Sequence, residues 1–108
     1  MPSPLVNRYV VYVHFQDLGA VRKPIARDPS FLVAVESCIS AYRTTGHLGY
    51  VIEDQRRHRE FLLDREGLLR VLYLRTHDES RYFQILNRLD RAGDQQELEA
   101  FLAAHAAL

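Results

Sequence analysis

Three arginines and a histidine crowd into one short stretch, Gln55-Arg56-Arg57-His58-Arg59, and no other segment gathers guanidinium groups so closely. A guanidinium is a planar fork of N–H donors that pairs with carboxylate or phosphate through two bonds at once. The stretch therefore points to recognition of an acidic protein surface, or of phosphate or RNA. Glu53, Asp54 and Glu60 flank it, so the competing reading is a solvated turn neutralised by its own neighbours. A second cluster, Arg75, His77, Asp78 and Arg81, stands where a strand is expected to enter a helix. There Thr76 and Glu79 fit a capping box, which leaves His77 and Arg81 without a structural task. The candidate binding residues are Arg56, Arg57, His58, Arg59, His77 and Arg81.

Other chemistry finds less support. His14, His47, His58, His77 and His105 include no pair at the helical i, i+4 spacing of a metal site, and Cys38 is the single cysteine. No metal or other cofactor is expected. Cys38 falls on the apolar stripe of a helix, away from the electropositive, exposed setting that activates a thiol. Thr45-Gly46-His47-Leu48-Gly49 contains two glycines, but it follows a helix and precedes a strand, the reverse of a phosphate-binding loop. No catalytic constellation emerges. An enzyme or ligand-binding protein would need a pocket near His14 and Tyr12.

The elements that must position these residues follow from the hydrophobic pattern. Asn7 to Phe15 is β-branched and aromatic and apolar on both faces, which predicts a central strand. Gln16 to Arg27 reads as a long connection into which Leu18, Val21 and Ile25 tuck, with an edge strand limited by Pro24. Phe31, Val35, Cys38, Ile39 and Tyr42 recur at helical spacing. Asp28 and Pro29 are suited to start that helix and Gly46 to end it. Three further strands are expected at Leu48–Asp54, His58–Asp64 and Leu68–Arg75, with a hairpin at Arg65-Glu66-Gly67. A helix from Thr76 to about Ala92 buries Tyr82, Ile85, Leu86 and Leu89. After Gly93 a last helix places Leu98, Phe101, Leu102 and His105 on one side. The expectation is an α+β domain spanning residues 1–108 with a mainly antiparallel sheet of about four strands. Its order along the chain is β-α-β-β-β-α-α, with one helix on the sheet and a C-terminal helical pair.

Composition narrows the functional classes. The 108 residues are 47% hydrophobic and 26% charged, ordinary values for one folded domain. The lone cysteine suits a reducing compartment, and the N-terminus lacks a basic and apolar leader, so a cytoplasmic location is expected. No membrane association is expected. The net charge is zero, against a bulk electrostatic grip on nucleic acid. The signs are uneven: eight cations face five anions up to Arg59, and six face nine beyond it. These features favour a small non-enzymatic interaction or regulatory protein (an adaptor, an inhibitor or immunity protein, or an accessory subunit) that binds a protein partner. A nucleic-acid-binding or nucleic-acid-cleaving module using the Arg56–Arg59 turn is the alternative. Two sheet edges in so short a chain also suggest a homodimer. Replacing Arg56, Arg57 and Arg59 together is expected to leave folding nearly unchanged, as surface substitutions usually do.

Overall fold

Alternating apolar side chains make Tyr9–His14 the interior strand, β1. The computed structural model describes residues 8–14, 22–45 and 49–105. In it β1 pairs antiparallel with β2 (Arg22–Asp28) on one side and β3 (Gly49–Asp54) on the other. Strand β4 (Arg59–Asp64) pairs antiparallel with β3, giving the order β2-β1-β3-β4. Four helices complete the described chain: α1 (Phe31–Thr45), α2 (Arg65–His77), α3 (Glu79–Ala92) and α4 (Gln95–His105). The protein is thus α+β with a four-stranded antiparallel sheet.

Period-two alternation sends Tyr9, Val11, Val13, Tyr50, Ile52, Phe61 and Leu63 to the helix-covered face. Helix α1 packs over β1 to β3, while α2 and α4 pack against β4. Helix α3 lies against α1 and α2 and adds Tyr82, Ile85, Leu86 and Leu89 to the core. Phe31 sits at the centre, 4.5 Å from the Phe61 ring and 5.8 Å from the Tyr9 ring between centroids. Burying a side chain of this kind contributes ~1.5–3 kcal/mol.

The stripe Phe31, Val35, Cys38 and Ile39 is buried, as its spacing predicts. Burial pushes the Cys38 thiol well above its ordinary pKa, with Asp28 adding to the rise. Cys38 is therefore expected to resist a thiol reagent in the native protein and to react only with denaturant. Rapid labelling without denaturant would show that α1 opens or is rotated.

Several expected boundaries move. The edge strand is fully formed as β2, and Pro24 lies at a bulge: Val11 opposes Ala26 and Tyr12 opposes Pro24, leaving Ile25 unmatched. Asp28 ends β2 and accepts a bond from the Ser37 hydroxyl, and Ser30 starts α1 by accepting from Val33 N–H. Leu68–Arg75 is not a strand but the body of α2, and Arg65-Glu66-Gly67 is its first turn rather than a hairpin. The Asp64 carboxylate accepts the Gly67 N–H at 2.8 Å, so β4 runs directly into α2. Leu68, Val71 and Leu74 then fall on the buried side at helical spacing. Thr76 forms no capping box: its hydroxyl donates to Leu72 O inside α2, and Asp78 caps α3 instead. The C-terminal pair is consequently a set of three helices. Gly46 and the Leu18–Val21 stretch lie outside the described residues.

Candidate functional site

Asp54, the last residue of β3, is fully buried, and its carboxylate organises the surroundings of the arginine-rich turn. Its Oδ1 accepts from Arg8 Nε at 2.9 Å and from the amides of Arg56 and Arg57 at 3.1 and 3.3 Å. Its Oδ2 accepts from Arg8 Nη2 at 2.8 Å and from Arg59 Nε at 3.1 Å. Burial alone pushes this carboxyl pKa up. The bonds from Arg8 and the two amides, with the charge of Arg8, outweigh that and hold it below the ordinary value.

The same arginines tie the sheet to the end of α3. Arg8 Nη2 donates to Asp90 O at 2.9 Å, and Arg59 Nη2 donates to Leu89 O at 3.0 Å. These carbonyls belong to the last turn of α3, where cations are favoured. The Asp90 carboxylate accepts from the Tyr9 hydroxyl at 2.8 Å and from Phe31 N–H at 2.9 Å. It thereby joins α3 to β1 and to the first turn of α1. Two arginines and two aspartates, separated by up to 82 residues along the chain, form one knot.

The knot divides the arginine cluster. Arg59 is structural: its guanidinium is spent on Asp54 and Leu89, and it is only 18% exposed. Replacing it together with Arg56 and Arg57 would strip a partner from a buried carboxylate, so the triple substitution is not neutral for folding. Arg56, Arg57 and His58 are exposed at the tip between β3 and β4. Among the described residues, the side chains of Arg56 and Arg57 have no ion-pair partner, since Asp54 is engaged below them. Glu53 accepts from the Tyr12 hydroxyl and from Gln55 Nε2. His58 has φ 55°, in the left-handed region, which costs a residue with a Cβ roughly 1–2 kcal/mol. The amide bonds to Asp54 hold the tip in that shape.

The second cluster lies elsewhere, at the junction of α2 and α3. Arg75 pairs with Glu36 of α1 at 3.2 Å. His77 Nδ1 is 2.9 Å from Tyr73 O, and its ring stacks on Tyr73 at 4.0 Å between centroids. Asp78 accepts from Arg81 N–H as the cap of α3. His77 and Arg81 therefore both take part in the helix junction. Among the described residues no group of three or more His, Cys, Asp or Glu could hold a metal ion. Also among them, no helix is long and apolar enough to cross a membrane.

The sheet edges differ. At β4 the side chain of Gln95 accepts from Leu62 N–H at 2.7 Å and donates to Leu62 O at 3.2 Å, occupying the outer backbone groups there. A cavity of about 160 Å³ remains beside it, lined in part by Gly67, Arg70 and Leu98. Edge β2 has no such cover among the described residues and borders a cavity of about 450 Å³ against α1. His14 lines neither.

No family model matches the chain, and neither the curated proteins nor the solved structures contain a match. The site's own geometry carries the functional argument. Arg8 and Asp90, essential to that geometry, gave no local sequence signal, because their partners lie 46 to 82 residues away.

Proposed function

We propose that this is a small non-enzymatic interaction or regulatory protein that works in the cytoplasm and grips an acidic surface of a protein partner with Arg56, Arg57 and His58. The observation that carries the reading is the division of labour at Asp54. Its carboxylate is consumed by Arg8 and Arg59, yet it still fixes the Arg56 and Arg57 amides. Two uncompensated forks stand on a tip whose backbone is held in place before binding. Preorganisation of this kind reduces the ordering cost of association. Arginine also survives desolvation at an interface better than lysine. Zero net charge keeps the remainder of the surface from adding a general attraction to nucleic acid.

The test compares the wild-type protein with the double variant Arg56→Ala/Arg57→Ala on immobilised poly-glutamate, heparin and single-stranded RNA at low ionic strength. Both side chains are exposed, so the variant is expected to melt within ~0.5 kcal/mol of wild type. Retention on poly-glutamate should weaken by ~1–3 kcal/mol, the range for loss of an interfacial hot spot. Equal retention of the two proteins on poly-glutamate would return the tip to a solvated turn. Selective retention of the wild type on RNA would move the reading to nucleic acid.

A further inference from the structure

We infer that the groove between β2 and α1 binds an extended acidic peptide, which joins the sheet as an added strand along the outer edge of β2. Among the described residues, strand β2 stands at the end of the sheet and pairs only with β1. Every second residue of such a strand turns its N–H and C=O outward. Pro24 removes one donor, which leaves Ile25–Asp28 as the stretch able to pair.

The helix leaves room for a strand there. On its β2 side α1 carries Ser37, Ser40, Ala41 and Thr44, and these small residues border the cavity of about 450 Å³ together with Ile25 and Ala26. Large side chains at those positions would close the gap. Two of the three hydroxyls are already satisfied as donors, Ser37 to Asp28 and Thr44 to the Ser40 backbone carbonyl. The groove therefore offers an apolar wall and a backbone edge.

Charge selects the occupant. The sequence of β2 carries Arg22, Lys23 and Arg27 against one acid, Asp28, which already holds Ser37. Arg27 opposes Val10, on the face of the sheet away from the helices, and is exposed. An added strand alternates in the same way. One set of its side chains drops beside Ala26 and Ala41 and must be small and apolar. The other set lies on Arg27's side and is best acidic. A second copy of this chain fits poorly, because it would bring another strand with three basic residues and one acid in its sequence to the same edge, and like charges across a pair destabilise it. Strand addition, with main-chain bonds for affinity and alternating pockets for selectivity, is an established mode of peptide recognition.

The probe is a heptapeptide of alternating Glu and Val, capped at both ends, titrated into the full chain and followed by amide chemical shifts. Its control is the matching peptide of alternating Lys and Val. The Glu–Val peptide should shift residues 25–28 and 37–45 and lose affinity with added salt, while the Lys–Val peptide shifts neither. Ser40→Trp fills the groove at an exposed position and should weaken binding ~10-fold, a change of about 1.4 kcal/mol. Arg27→Glu should reverse the preference between the two peptides. The double variant at Arg56 and Arg57 should keep the shifts at residues 25–28 and 37–45 even where it loses those at residues 55–58, which separates this site from the turn. The proposal fails if shifts are confined to residues 55–58, if both peptides bind alike, or if Ser40→Trp and Arg27→Glu change nothing. It fails equally if the free protein shows contacts from residues 15–21 to Ala41, which would mean that the chain fills its own groove. Concentration-dependent shifts at residues 22–28 without peptide would assign the edge to a second copy and also overturn it.

Discussion

Asp54→Ala is expected to cost about 3–5 kcal/mol, the penalty for removing one member of a buried, hydrogen-bonded charge cluster. A domain of ordinary stability holds only ~5–15 kcal/mol in total. Five bonds end on this fully buried carboxylate. Its loss takes the shared carboxylate from the Arg8 and Arg59 guanidiniums, and among the described residues Arg8 keeps the half-buried Asp90 at 3.7 Å. The melting temperature should fall by more than ~12 °C, at roughly 4–8 °C per kcal/mol for a domain of this size. The double variant Arg8→Met/Asp54→Leu removes the most buried pair, leaves Arg59 to Leu89 O and solvent, and should recover part of the loss, since apolar replacement of a buried pair is often tolerated. The sign of the pH effect follows from the lowered carboxyl pKa of Asp54. A depressed native pKa stabilises the fold above the unfolded value, near 3.9. That contribution disappears as the pH falls through the native value. Acid unfolding of the wild type should therefore steepen below about pH 4, and the double variant should lack this component. A melt of Asp54→Ala close to wild type, or identical acid transitions, would show that the knot adds nothing to stability.

Gly93→Ala is expected to destabilise the protein by ~1–3 kcal/mol, the usual range for forcing extra volume into a packed site. The cause is space rather than backbone conformation. Gly93 closes α3 with φ −77° and ψ 165°, which any residue can adopt, and donates its N–H to Leu89 O at 3.1 Å. A Cβ there would stand 2.7 Å from Leu89 Cα and overlap the Leu89 side chain. Leu89 is fully buried, and its carbonyl also receives the Arg59 guanidinium. Moving it would strain the core and the knot together. Thermal melts of Gly93→Ala and Gly93→Ser should both be lowered, the serine variant at least as much. Unchanged melts would mean that the chain after α3 shifts aside without cost.

Much of the fold was legible as periodicity. Tyr9–His14 and Gly49–Asp54 alternate along strands, while Phe31, Val35, Cys38 and Ile39 repeat at helical spacing, and burial follows both patterns. The stretch Leu68–Arg75 misled because Leu-Leu-Arg-Val-Leu-Tyr-Leu is apolar nearly throughout, so neither period stands out. The decisive cue was Asp64. It reads as the end of a strand, but its carboxylate captures Gly67 N–H and begins a helix without an intervening loop.

The candidate site was visible only as a concentration of charge. From composition and spacing the sequence determined an α+β chain with an antiparallel sheet, a buried thiol and one arginine-rich turn. It placed four basic residues together at 56–59 but could not tell them apart, because local sequence shows charge and not partners. Tertiary structure alone decided that Arg59 belongs to the core and that Arg56, Arg57 and His58 face outward. It did so by bringing Arg8 and Asp90 to the same place as Asp54, from 46 residues before it and 36 after it. The reason is physical. A buried carboxylate must be satisfied by whatever donors the fold brings near it, and pairings at such separation leave no periodic trace in the chain.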